Sequence, residues 1–174
     1  MSLKATTFAD LLAATRHSAV HLEMRDQYAV GDETEDYAAF LDTGVANTDP
    51  AESFWPQWLP LVTNAVARGV VMRRARIVSE PVTDYIRYEH AITVLNLQAG
   101  EDVRWLPRRR ASDLALPGND FWLLDGRLVQ FNHFTGKGDW AGKEHTEDAD
   151  VVALCAAAFE AVWQRAVPHE KYTV

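Results

Sequence analysis

Residues 70–107 read VVMRRARIVSEPVTDYIRYEHAITVLNLQAGEDVRWLP. Val70 to Val78 is a short, mostly apolar run bounded by a turn, which predicts a strand. Ser79-Glu80-Pro81 supplies the turn. Thr83 to Leu97 has helical spacing: Tyr85, Tyr88, Ile92 and Leu95 line one side, while Ile86, Val94 and Leu97 fall elsewhere. Such a helix is apolar around much of its circumference and belongs between neighbours. Gly100 ends it, and Val103 to Pro107 is a second strand. Strand–helix–strand is the building unit of an α/β sheet.

The flanks extend the same layout. Residues 7–16 predict a first helix, with Phe8, Leu11, Leu12 and Thr15 at helical spacing. The stretch from Ala19 to Arg25 alternates, with Val20, Leu22 and Met24 on one side, so a strand with one wet face is expected. Asp32 to Leu41 reads as a short acidic helix closed by Gly44, and residues 43–53 as a loop. A helix from about Trp58 to Arg68 follows, with Pro60 near its start and Trp55, Leu59, Val62 and Val66 in one stripe. Phe121 to Phe131 carries two apolar runs around Asp125-Gly126, the signature of a hairpin with a two-residue turn. Residues 147–166 form a last helix, acidic at its start and stopped by Pro168. The sum is one α/β domain over residues 1–174, a central mixed sheet flanked by helices.

Composition narrows the function classes. The 174 residues are 48% hydrophobic and 24% charged, and a chain of this length buries about 70% of its extended surface, which is enough for a core without staples. No apolar run is long enough for a membrane span, and MSLKATTFAD lacks the pattern of a secretory leader, so a cytoplasmic protein is expected. A single cysteine, Cys155, allows no intrachain disulfide and no cysteine-based zinc site. No dinucleotide, P-loop, serine-hydrolase or HExxH motif occurs, and no cofactor or metal is expected.

The net charge of −8 is uneven: residues 1–60 have a balance of −7, while eight arginines lie between Arg73 and Arg110. An acidic protein with a local arginine zone is a poor nucleic-acid binder, so a partner surface or a small anion is the better match. Ligands of α/β sheets gather outside the carboxyl ends of strands. On that rule Arg76, Glu80, Tyr85, Arg87, Trp105 and Arg109 form the expected ligand-binding rim, with guanidinium groups supplying charge-assisted hydrogen bonds. The plainer alternatives are an edge strand kept apart from other sheets by its arginines, and a surface pair between Asp84 and Arg87. The histidines are His17, His21, His90, His133, His145 and His169. Of these, His133 could act as nucleophile or base on a phosphate ester, with Lys137 and Arg109 as clamps.

The run VVMRRARIVSEPVTDYIRYEHAITVLNLQAGEDVRWLPRRRA, then LPGNDFWLLDGRLVQFNHFTGKG, with SAVHLEMRDQY near the start, resembles an actinobacterial single-domain family of unknown function. Its members are often encoded beside helix-turn-helix regulators, which implies such a regulator as partner. The element order is also distantly similar to phospholipase D-like domains. Their active form uses His-x-Lys-x4-Asp, whereas here three residues separate His133 from Lys137. The likeness therefore implies a non-catalytic version of that fold. The resulting expectation is a non-enzymatic regulatory or ligand-sensing domain that binds an anionic small molecule or the regulator. The alternatives are a phosphodiesterase-like enzyme using His133 and one half of a toxin–antitoxin pair.

Overall fold

A computed structural model describes residues 6–29 and 34–174. The chain runs α1 (Phe8–Ala14), β1 (Ser18–Glu23), α2 (Thr34–Thr43), α3 (Trp55–Ala67), β2 (Val71–Val78), α4 (Asp84–Ala99) and β3 (Asp102–Pro107). A 3-10 turn (Arg108–Ala111) leads to β4 (Asp120–Leu124), β5 (Leu128–Phe134), β6 (Trp140–Thr146), α5 (Ala149–Arg165) and β7 (Val167–Pro168). One seven-stranded sheet has the order β6-β5-β4-β1-β2-β3-β7. Strands β1, β2 and β3 are parallel, and β4, β5, β6 and β7 are added antiparallel. The expected mixed α/β sheet with helices on both faces is what the chain forms.

Alternation along the strands decides which helix each face receives. Val20, Leu22, Ala75, Ile77, Leu106, Phe121 and Leu123 pack with Cys155, Phe159 and Val162 of α5 in a dry layer. The opposite face carries Ala19, Met72, Val103, Trp105, Trp122 and Leu124, packed against α1, α3 and α4. On that face His21, Glu23, Arg74 and Arg76 share the same parity. The wet face expected for β1 is therefore a correction: His21 and Glu23 lie under helices, with Glu23 at 12% side-chain exposure. Nor is β2 an edge strand; it pairs with β1 on one side and β3 on the other.

Local chemistry fixes the helix ends. Thr83 caps α4 by accepting from the Ile86 N–H, and Gly100 closes it at φ 103°. A Cβ at Gly100 would sit 3.0 Å from a methyl of Val66, so the close approach of α3 to the end of α4 depends on this glycine. Helix α3 begins at Trp55, three residues earlier than expected, so Pro60 falls inside it rather than at its start. Asp125 and Gly126 both take left-handed backbone, φ 52° and 61°. Leu124 pairs with Leu128, so the hairpin loop is one residue longer than expected. Strands β6 and β7 had no sequence expectation, and Asp32 and Glu33 of the expected acidic helix lie outside the described residues. Among the described residues, no helix is long and apolar enough to cross a membrane.

Candidate functional site

Between the sheet and the helices α3 and α4 lies a chamber of about 200 Å³. Its floor is His21, Glu23, Arg74, Arg76 and Trp122; its roof includes Trp55, Trp58, Glu89 and Asn96. Helical spacing brings Glu89, Thr93 and Asn96 to one side of α4, and strand parity brings the charged floor into line beneath them.

The charges are interlocked. Arg74 grips Glu101 with two bonds, Nε to Oε2 at 2.8 Å and Nη2 to Oε1 at 3.3 Å, and reaches Glu23 Oε1 with Nη1 at 3.1 Å. Arg76 donates from Nε to Glu23 Oε2 at 2.6 Å and from Nη1 to Thr93 Oγ1 at 2.6 Å. Glu89 Oε2 stands 3.6 Å from Arg76 Nε. Asn96 Nδ2 and Trp58 Nε1 both donate to Glu101. His21 places Nδ1 2.9 Å from the Phe121 carbonyl and Nε2 3.3 Å from Glu23. Both ring nitrogens face acceptors.

Indole rings enclose this network. Trp122 stacks on His21 at 4.2 Å, the Arg74 guanidinium sits 5.5 Å from Trp122 and 5.8 Å from Trp58, and Arg76 sits 4.9 Å from Trp105. Burial alone would raise the Glu23 carboxyl, but Arg76, Arg74 and His21 reverse this and hold it well below its ordinary value. Burial likewise works against ionised Glu101, and Arg74 and the Asn96 bond hold it low. Burial disfavours charge on the two arginines too, yet Glu89 and Glu23 raise Arg76, while Glu101 and Glu23 raise Arg74. Glu23, Glu101, Arg74 and Arg76 are thus held in their charged forms near neutrality.

Residues 6–174 match a protein family described as a domain of unknown function, DUF6879. The chain belongs to that family. No curated protein matches it at a significant level.

The six rim residues expected from the sequence are divided in this DUF6879 fold. Arg76 and Trp105 are buried at or beside the chamber. Tyr85 is buried in an aromatic cluster, 6.0 Å from Tyr28 and 5.4 Å from Tyr37. Glu80 and Arg109 share a surface depression with Ser79, Arg108 and Ser112, and Glu80 accepts from the Tyr172 hydroxyl. Arg87 is exposed and pairs with Asp84 at 3.1 Å. Strand alternation turns Arg76 inward, while Glu80 and Arg109 follow their strands, which is why one rule did not gather all six. His133, on β5, faces Glu144 of β6 at 3.6 Å, and Lys137 lies exposed in the next turn. Sequence reasoning missed Glu23, Arg74, Glu89, Asn96 and Glu101. The signal was present as opposite charges at matching parity in SAVHLE and VMRRARIV.

A second concave region in the DUF6879 fold lies at the carboxyl ends of the parallel strands. Met24 and Arg25 follow β1, and Arg108 follows β3. Asp120 is buried there, with Oδ1 accepting from the Met24 N–H at 2.8 Å and Oδ2 from the Tyr28 hydroxyl. Burial raises the Asp120 carboxyl; burial and then the Asp120 charge raise the Tyr28 phenol well above its ordinary value. Cys155 is buried on the sheet-facing side of α5, its thiol pushed up to about 11, which removes it as a nucleophile near neutral pH.

Proposed function

We propose that this chain is a non-enzymatic ligand-sensing domain and that the chamber beneath α3 and α4 is its ligand site. One observation carries the reading: five acidic and basic side chains largely withdrawn from solvent, Glu23, Arg74, Arg76, Glu89 and Glu101, border or brace an open volume of about 200 Å³. Burying charge is costly, and an apolar filling of equal volume is often as stable or more so. Charged groups gathered around a concavity are the usual mark of a binding site. Both guanidiniums are already matched by carboxylates, so the chamber suits a small polar molecule that offers donors and acceptors together. Trp55 and Trp58 give such a molecule flat apolar contact.

The family resemblance adds a helix-turn-helix regulator as the partner that would read the occupied state. A non-catalytic, phospholipase D-like arrangement agrees with this reading, because His133 on its strand and Lys137 in the turn form no common phosphate clamp. The test is a thermal-shift screen over amino acids, nucleobases, and carboxylated and phosphorylated metabolites, read in parallel by tryptophan emission. A hit should raise Tm by several degrees and perturb emission, and Ile92→Trp, which fills the chamber, should abolish both effects. No hit in the screen, or hits that survive the filled chamber, would overturn the assignment.

A further inference from the structure

The crevice at the carboxyl end of β1 is independent of the chamber. It has a volume of about 340 Å³ and includes Arg25, Arg108, Asn119, Asn132, Leu116 and Phe134 in its wall. Its place follows from topology. From β1 the chain builds β2 and β3 on one side, then returns to lay β4 on the other. The gap outside the strand ends where the chain order reverses is the habitual ligand site of α/β sheets.

The charge in the crevice is less fully neutralised than in the chamber. Arg25 bonds to the carbonyls of Gln27 and Thr135, at 3.4 and 3.2 Å, and lies 5.7 Å from the Phe134 ring centre. Among the described residues, no carboxylate pairs with it. Arg108 bonds to the carbonyls of Met24 and Ile77 and to Ser79 Oγ, with Asp26 at 3.7 Å. Two carboxylates border this charge: Asp26 pairs with Arg108 while accepting from the Ser79 N–H and hydroxyl, and Asp120, in the crevice wall, accepts from Met24 and Tyr28. Asn132 accepts at its carbonyl from Gln130, which leaves its amide as a donor.

We propose that this crevice binds an organic oxyanion, a carboxylate or phosphate monoester on a small apolar body. Arg25 and Arg108 take the charge, the Asn132 amide adds a neutral donor, and Phe134, Leu116 and Met24 hold the body.

The experiment is titration of the intact chain at low salt with benzoate, phenyl phosphate and the neutral analogue benzamide, followed by amide NMR. Saturable binding of at least one anion is expected, with shifts at Gly118 and Asn119 and none comparable from benzamide. The stronger anion identifies carboxylate or phosphate as the natural group. Arg25→Gln should weaken binding at least tenfold, and Arg25→Lys should recover part of it. Asn132→Asp, which adds a carboxylate without touching either arginine, should also abolish binding and guards against misfolding of the Arg25 variant. Ile92→Trp, which closes only the chamber, should leave the titration unchanged. Equal binding of benzamide, indifference to both Arg25→Gln and Asn132→Asp, or no saturable binding of either anion would overturn the proposal.

Discussion

Glu23 joins three partners, Arg74 Nη1, Arg76 Nε and His21 Nε2, through two oxygens. Glu23→Gln would keep the shape and leave two buried guanidiniums short of charge. Breaking a buried pair from one side costs about 3–5 kcal/mol, and urea unfolding should show a loss of that size. The pH dependence has the same origin. Glu23 and Glu101 are held below their ordinary value of 4.5, so the unfolded chain binds protons more readily at these sites. Their contribution is fully present above that value and is lost as pH falls through and below it. A plot of unfolding free energy should bend downward below about pH 4.5, and Glu101→Gln should flatten the bend. Asp125 is a second residue with a decisive role. Its carboxylate accepts from the backbone N–H groups of Arg16, His17 and Ser18 and so ties the entry of β1 to the hairpin. Asp125→Ala should cost about 1–3 kcal/mol, and Asp125→Asn less, since Asn keeps one acceptor and tolerates the left-handed backbone.

At the scale of elements, the C-terminal segment after α5 is held by the pairing of β7 with β3 and by aromatic and histidine contacts. Tyr172 stacks on Trp105 at 5.6 Å, and its carbonyl accepts from His90 Nε2 at 2.9 Å. Trp105 Nε1 donates to His169 Nδ1 at 3.1 Å, so that nitrogen must be unprotonated. Burial, then His90 and Arg76, push His169 down to about 4 against the pull of Glu170; burial chiefly lowers His90. The detached segment therefore binds protons more readily. Its docking should weaken as pH drops below 6.5 and go on weakening toward about 4. Hydrogen exchange at Tyr172, corrected for intrinsic rates, should accelerate over that range, and His169→Gln should blunt the trend. The strands and helices from Ala19 to Phe131 were legible because apolar periodicity reports burial directly. Strands β6 and β7 were not. Trp140–Thr146 is an exposed edge with no apolar alternation, and Val167–Pro168 is too short to carry a pattern. The chamber was half legible: Arg76 stood out by its charge, but its partners Glu23 and Glu89 come from other elements, and pairing across elements leaves no local trace.

For the whole molecule, the sheet separates two interiors of different chemistry. The layer under α5 is aliphatic and aromatic around Phe121, Phe159 and Val162, and the layer under α3 and α4 holds the ionised network. Their energetics should be separable. Val162→Ala removes methyls from the dry layer at about 1–3 kcal/mol, while Thr93→Val removes the Arg76 Nη1 acceptor at about 1–2 kcal/mol. The two sites share no partner, so the double variant should equal their sum within about 0.5 kcal/mol. Thr93→Val removes an acceptor from Arg76 and Glu23→Gln removes its charged partner, so the two should instead couple by about 0.5–3 kcal/mol. Denaturant titration of the four single and double combinations in each cycle reads this directly. Coupling of that size across the sheet, or additivity within the chamber, would mean that the network does not act as one electrostatic unit.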